Sequence, residues 1–303
     1  MRVFAPHPML MVLKADCQDR RHPSVATPHP MKLAILTIDL PEANVITERL
    51  VAERGDQVCG ILQSATLISG KSNWDAYLYL GRRMGLYYGG SWQAHRVIAL
   101  VVAAVRRSLR LPAGRGCLKY LCQETGLPLI STSNINAHPS IEALRALKPD
   151  LIVSNYFNQV IKEPILDEPD WEVINIHPAL LPRNRGLMPC FWALANGDSM
   201  TGVTVHRVDK NLDTGEMLAQ REVPIRPRDS VISLSQRCSE AAADLVLKVI
   251  KELEAGAAVS SPQNHKQSSY YSWPSRAGIR KLYKRDHRYG SLAEMWAQAI
   301  KSS

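Results

Sequence analysis

The sequence predicts an α/β fold built on a mostly parallel sheet, and three observations carry that prediction. Short apolar runs of strand length alternate with amphipathic stretches of helical length from Met31 to Val223. Hydrophobic residues make up 46% and charged residues 21%, the balance of a soluble globular chain and not of a fibre or a disordered one. A length of 303 residues allows one large domain or two modest ones, with enough core that no disulfide staples are needed.

The elements follow in order. Lys32-Leu33-Ala34-Ile35-Leu36-Thr37-Ile38 reads as a buried first strand directly after Met31. Pro41–Arg54 reads as a helix, because proline suits a first helical turn and Gly55 stands just past the end. Val58–Leu62 is the second strand. A basic, aromatic insertion over about 64–115 is expected to hold two helices. Cys117–Glu124 then reads as helix, Pro128–Ser131 as strand, Pro139–Leu147 as helix, and Leu151–Asn155 and Val173–His177 as strands. Leu187–Ala195 is helical, and Thr201–Val208 and Glu216–Val223 are strands. A long helix over Ser230–Ala255 lines up Leu234, Cys238, Ala241, Leu245, Val249 and Leu253 on one face and stops at Gly256. The remaining residues, 257–303, are Ser-rich and then basic.

Charge and cysteine usage narrow the setting. Lys and Arg number 37 against 28 Asp and Glu, a net charge of +9 that raises the question of anionic partners. The six cysteines form no Cys-x-x-Cys pair, so neither a disulfide framework nor a zinc ribbon is indicated, and a reducing cytoplasm is the expected setting. The longest apolar run, Val97–Val105, falls far short of the roughly 20 residues of a spanning helix. Residues 1–30 contain three His-Pro pairs and no core periodicity, and read as a disordered leader or a start assigned too early.

The residues suited to chemistry begin at Asn175-Ile176-His177. Alternate strand residues share a face, so Asn175 and His177 project together. The strand breaks at once into Pro178-Ala179-Leu180-Leu181-Pro182-Arg183-Asn184-Arg185-Gly186, at the strand end where open α/β sheets bind ligands. An amide donor beside an imidazole suits a reaction that develops an oxyanion and moves a proton. A His and an Asn that merely close a loop fit the spacing equally well. Leu212-Asp213-Thr214-Gly215 lies between two expected strands; alone it reads as a turn, and as a partner of His177 its carboxylate would raise the ring's basicity and fix its tautomer.

Asn175–Gly186, Gly202–His206 and Leu212–Gly215 together resemble the folate-dependent formyltransferase family, over about Met31 to Val223 and most strongly from Asp150 onward. The resemblance implies a twisted, Rossmann-like domain with helices on both faces of the sheet. It implies transfer of a formyl group from 10-formyltetrahydrofolate, as co-substrate, to an amine, with Asn175, His177 and Asp213 catalytic and no metal. Attack of a neutral amine creates a tetrahedral oxyanion for Asn175 and His177 to stabilise, and Asp213, His177 or a water takes the ammonium proton. By position, the pterin pocket falls on Phe157, Asn158, Gln159, Val160 and Ile161 and on Val208, Asp209 and Lys210. His206 falls where the small-amine branches carry an acceptor-binding His.

For the acceptor, the resemblance favours a small or nucleotide-linked amine of the amino-sugar type. Asp39-Leu40-Pro41-Glu42-Ala43-Asn44 has no glycine and two acids, a poor cradle for phosphate. Residues 257–303 are too few for the C-terminal barrel of methionyl-tRNA formyltransferases. Against this, Arg276, Arg280, Lys281, Lys284, Arg285 and Arg288 with only Asp286 suit a phosphate-bearing partner such as tRNA or a nucleotide-sugar. A formyltetrahydrofolate hydrolase and a non-catalytic RNA-binding module remain alternatives. The expected organisation is a leader over 1–30, a catalytic domain over 31–227 and a C-terminal helix with a basic tail over 228–303.

Overall fold

The computed structural model describes residues 30–68, 70–111 and 117–300, so the expected leader lies outside them but for Pro30. The strands are β1 (Leu33–Thr37), β2 (Val58–Ser64), β3 (Leu129–Thr132), β4 (Leu151–Asn155), β5 (Glu172–His177), β6 (Arg185–Gly186), β7 (Met200–Arg207), β8 (Met217–Pro224) and β9 (Tyr270–Tyr271). The main sheet runs β3-β2-β1-β4-β5-β7-β8. It is parallel through β5 and antiparallel at β7 and β8.

Central strands are apolar on both sides because helices cover both faces. Leu33 and Ile35 of β1 point into one core cluster with Ile46, Leu50, Val246 and Ile250. Ala34 and Leu36 point into the other, with Ile141, Leu144, Ile165 and Trp171. The helices are α1 (Pro41–Arg54), α2 (Asn73–Met84), α3 (Leu86–Ser108), α4 (Leu118–Thr125) and α5 (His138–Leu147), then α6 (Glu163–Leu166), α7 (Pro189–Asn196), α8 (Val231–Glu254), α9 (Arg276–Lys284) and α10 (Leu292–Ile300). α1 has proline in its first turn and packs on α8. α8 starts with a capping box in which Ser230 and Ser233 exchange side-chain-to-backbone hydrogen bonds. No helix of the described residues is long and apolar enough to cross a membrane.

The insertion expected over about 64–115 holds α2 and α3, with residues 69 and 112–116 outside the described ones. The segment expected as a basic tail folds back on the domain. β9 pairs with β6, α9 packs on α7 and α10 on α3. The sequence hides this because α9 buries only Gly278, Ile279 and Leu282. Its partners Phe191 and Trp192 lie far upstream in the chain.

From β1 the chain crosses to β2 on one side, and from β4 to β5 on the other. The crevice beyond the carboxyl ends of β1 and β4 is therefore the switch point at which such sheets bind ligands.

Candidate active site

A cavity of about 220 Å³ opens at that point. Ile38, Leu40 and Glu42 follow β1, and Tyr156, Phe157 and Asn158 follow β4. Leu187, Met188 and Phe191 come from the start of α7, and Trp273 and Tyr289 from the C-terminal segment. Asn175, His177 and Asp213 line it side by side, joined through His206. Among the described residues no lysine or arginine lines it.

Each polar side chain there is held in one orientation. The Ser154 hydroxyl donates to Asn175 Oδ1 at 2.8 Å. Asn175 Nδ2 then donates to His206 Nε2 at 3.1 Å, because His206 Nδ1 already donates to the Arg207 carbonyl at 2.8 Å. One amide hydrogen of Asn175 remains for the cavity. Burial, the largest influence, pushes the His206 pKa down, and Asp213 partly opposes it. A neutral ring is what accepting from Asn175 requires.

His177 Nε2 donates to the Asn184 carbonyl at 2.9 Å, which leaves the lone pair of the neutral ring on Nδ1. Asp213 Oδ1 lies 3.8 Å from this Nδ1 and 3.8 Å from His206 Nε2, too far for a hydrogen bond to either. The tautomer of His177, expected from Asp213, is therefore set by Asn184. Nδ1 of His177 and Oδ1 of Asp213 are two acceptors close enough together that one donor seated beside the line between them can reach both.

The loops that deliver these groups depend on unusual backbone. Asp213 has φ +53° and Asn184 φ +56°, a left-handed region in which Asp and Asn are among the more tolerant side chains. Gly186 N–H donates to Asp213 Oδ2 at 2.8 Å. Gln263 Nε2 donates to the carbonyls of Asp213 and Gly215 at 3.0 and 2.7 Å. A side chain at Gly215 would strike the Arg207 carbonyl, so the turn can close only on glycine. Buried Thr204 donates to the Ala179 carbonyl at 2.7 Å and accepts from Leu181 N–H, bracing the loop after β5.

Of the residues expected around the pterin, Phe157 and Asn158 line the cavity. Gln159, Val160, Ile161, Val208, Asp209 and Lys210 do not. Gln159 is buried and ties Ser64, Thr132 and Ile135 together. Val208 N–H extends the sheet to the Val173 carbonyl. Asp209 accepts from Thr214, and Lys210 pairs with Glu163 at 2.7 Å. His206, expected at the acceptor, is buried behind Asn175 and does not line the cavity, because β7 turns it inward beside β5. Ser154, Asn184 and Gln263 join the site without being marked as functional by the sequence. Only Asn184 left a signal, as a turn residue inside the string after His177.

Residues 117–250 match the model of the formyl transferase family. Over 175 residues the chain is 38% identical to the methionyl-tRNA formyltransferase of Syntrophus aciditrophicus, covering 56% of this chain and 56% of that protein. It thus spans about half the length of the curated relatives it matches. A sugar N-formyltransferase from Shewanella shares the fold with a TM-score of 0.51 and 18% identity, over 90% of this chain and 89% of that one. The N-formyltransferase of Helicobacter canadensis, solved with folinic acid and dTDP-3-aminofucose, does so with a TM-score of 0.51 and 17% identity, over 87% and 85%. In sequence from α4 into α8, and in fold over most of its length, the chain is similar to the folate-dependent formyltransferases.

Proposed function

We propose that this protein transfers a formyl group from 10-formyltetrahydrofolate to a primary amine, with Asn175, His177 and Asp213 touching the reacting atoms. One observation carries the reading: these three side chains line a single cavity side by side, oriented by fixed hydrogen bonds. The co-substrate supplies an electrophilic formyl carbon. The free amide hydrogen of Asn175 is positioned to donate to an oxygen that gains negative charge, a contribution typically worth about 100-fold or more in turnover. An attacking amine seated to one side of the 3.8 Å line between His177 Nδ1 and Asp213 Oδ1 can reach both. As its nitrogen bonds to the formyl carbon, its proton passes to one of these two acceptors. The adduct collapses by breaking the bond from that carbon to N10, which takes up a proton as tetrahydrofolate leaves.

Phe157, Leu187 and Met188 give the cavity apolar walls against which a flat ring can lie. We assign the co-substrate's ring to the wall that includes Phe157 and Asn158. This setting is cytoplasmic, where unpaired cysteines stay reduced.

The acceptor we favour is a small or nucleotide-linked amine. Among the described residues the cavity wall holds Glu42 and Asp213 and no lysine or arginine, which repels phosphate, so any phosphate of the acceptor stays outside and its amine-bearing part enters. The sequence match to methionyl-tRNA formyltransferases supports initiator tRNA as a second reading, with the methionyl end in the cavity.

The test incubates the purified protein with 10-formyltetrahydrofolate alone, then with amino-sugar nucleotides, amino acids or charged initiator tRNA. Release of tetrahydrofolate only when an amine is added supports transfer. Rapid formate release without an amine identifies a hydrolase, and silence with every amine refutes the reading.

A further inference from the structure

The insertion and the last helix turn apolar side chains outward. On α3, Val97, Leu100, Val101 and Val105 are 48% to 57% exposed. With exposed Ala104 they recur at three- and four-residue steps, which makes one stripe along the helix. The opposite face does the packing: Ala99 and Val102 are buried against Ala299 of α10. α10 repeats the pattern, with Leu292, Trp296 and Ile300 four residues apart and 45% to 65% exposed. α2, which also packs on α3, adds Trp74, Tyr77 and Leu78. Thirteen of the eighteen large hydrophobic side chains exposed among the described residues belong to residues 74–111 or to α10. The α3 stripe sets Val97, Leu100, Val101, Ala104 and Val105 side by side on one exposed face, and an apolar face of that kind marks an interaction site.

The charge around this surface selects the occupant. Residues 71–111 hold seven Lys and Arg and a single acid, Asp75. Arg107 and Arg110 are exposed at the end of the stripe. α9, beside α2, exposes Arg276, Arg280, Lys281 and Lys284. A second copy of the chain would bring the same positive charge against itself, and like charges in apposition repel. A nucleic acid would satisfy the arginines and leave the valines and leucines in water. Apolar side chains framed by Lys and Arg match an anionic bilayer surface, where the former enter the headgroup and acyl boundary and the latter meet phosphates.

We propose that the outward stripe of α3, with Arg107 and Arg110 at its end, docks this protein peripherally on anionic lipid membranes. This goes beyond the reaction proposed for the cavity and does not depend on it. The test is flotation of the full chain with phosphatidylcholine vesicles, with and without phosphatidylglycerol. Binding is expected to the mixed vesicles, weakened by salt, and not to phosphatidylcholine alone. Arg107→Ala with Arg110→Ala should weaken it about 30-fold, from about 1 kcal/mol per basic residue at the surface. Leu100→Ser with Val101→Ser should weaken it about tenfold or more. All four side chains are exposed, and Arg107 gives up its place over the Tyr120 ring at 4.7 Å, so the variants should unfold within a few degrees of the parent. A folded wild-type chain that fails to float with anionic vesicles overturns the proposal. So does equal binding to neutral vesicles, a solution dimer that Val101→Arg dissociates, or vesicle binding indifferent to both double variants.

Discussion

Replacing Asp213 with asparagine separates the carboxylate's chemistry from its structural role. Asn tolerates the φ of +53° about as well as Asp, and its carbonyl oxygen can still accept the Gly186 N–H that now reaches Oδ2. The structural loss is one charge-assisted hydrogen bond exchanged for a neutral one, about 1 kcal/mol. The melting temperature should therefore fall by only a few degrees. The amide nitrogen then occupies the place of Oδ1, 3.8 Å from His177 Nδ1, and puts a donor where an acceptor is needed. Transfer should fall by about 100-fold to 10,000-fold, the usual range for a removed general base. Asp213→Ala serves as the contrast. It strands the Gly186 N–H, at about 1–3 kcal/mol, and places alanine in a left-handed conformation, at roughly 1–2 kcal/mol, so stability and activity fall together. The assay is tetrahydrofolate release with the best acceptor of the screen, beside thermal unfolding. An Asn variant that keeps activity within about tenfold of the parent would refute the proton-acceptor role.

Further outcomes follow from the same geometry. His206 has a folded pKa below its unfolded value of about 6.5. Its stabilisation is complete above that pH and is lost below it, as the unfolded chain takes up a proton that the folded chain refuses. His206→Gln should flatten the fall in urea-unfolding stability from about pH 7 to about pH 5 by up to about 1.4 kcal/mol per pH unit; equal slopes for variant and parent would count against this. Gly215→Ala drives a methyl into the Arg207 carbonyl and should cost about 1–3 kcal/mol or more, read by urea titration, along with most transfer activity. Neutralising Arg280, Lys281 and Lys284, all exposed, should leave the KM of a small acceptor unchanged. A KM that rises several-fold with a flatter salt dependence would point to tRNA instead.

The sequence by itself determined the layered α/β fold, because its buried strands are apolar on both sides and its helices carry capping and stop residues within a few positions of their ends. Pro41–Arg54 is a helix with those bounds, and Leu151–Asn155 a strand with those bounds. It also brought Asn175 and His177 to one strand face, since alternation along a strand is a local rule. Tertiary structure alone decided the rest. That Asn184 and not Asp213 sets the His177 tautomer depends on a hydrogen bond across a loop. That His206 stands behind Asn175 depends on the pairing of β5 with β7. Gln263, fifty residues beyond Asp213, shapes the turn that presents the carboxylate, and no local pattern marks a glutamine for that task. The apolar stripe of α3 shows the limit most clearly: periodicity reveals that a helix has an apolar face, but only the packed neighbours decide whether that face is buried or turned to the outside.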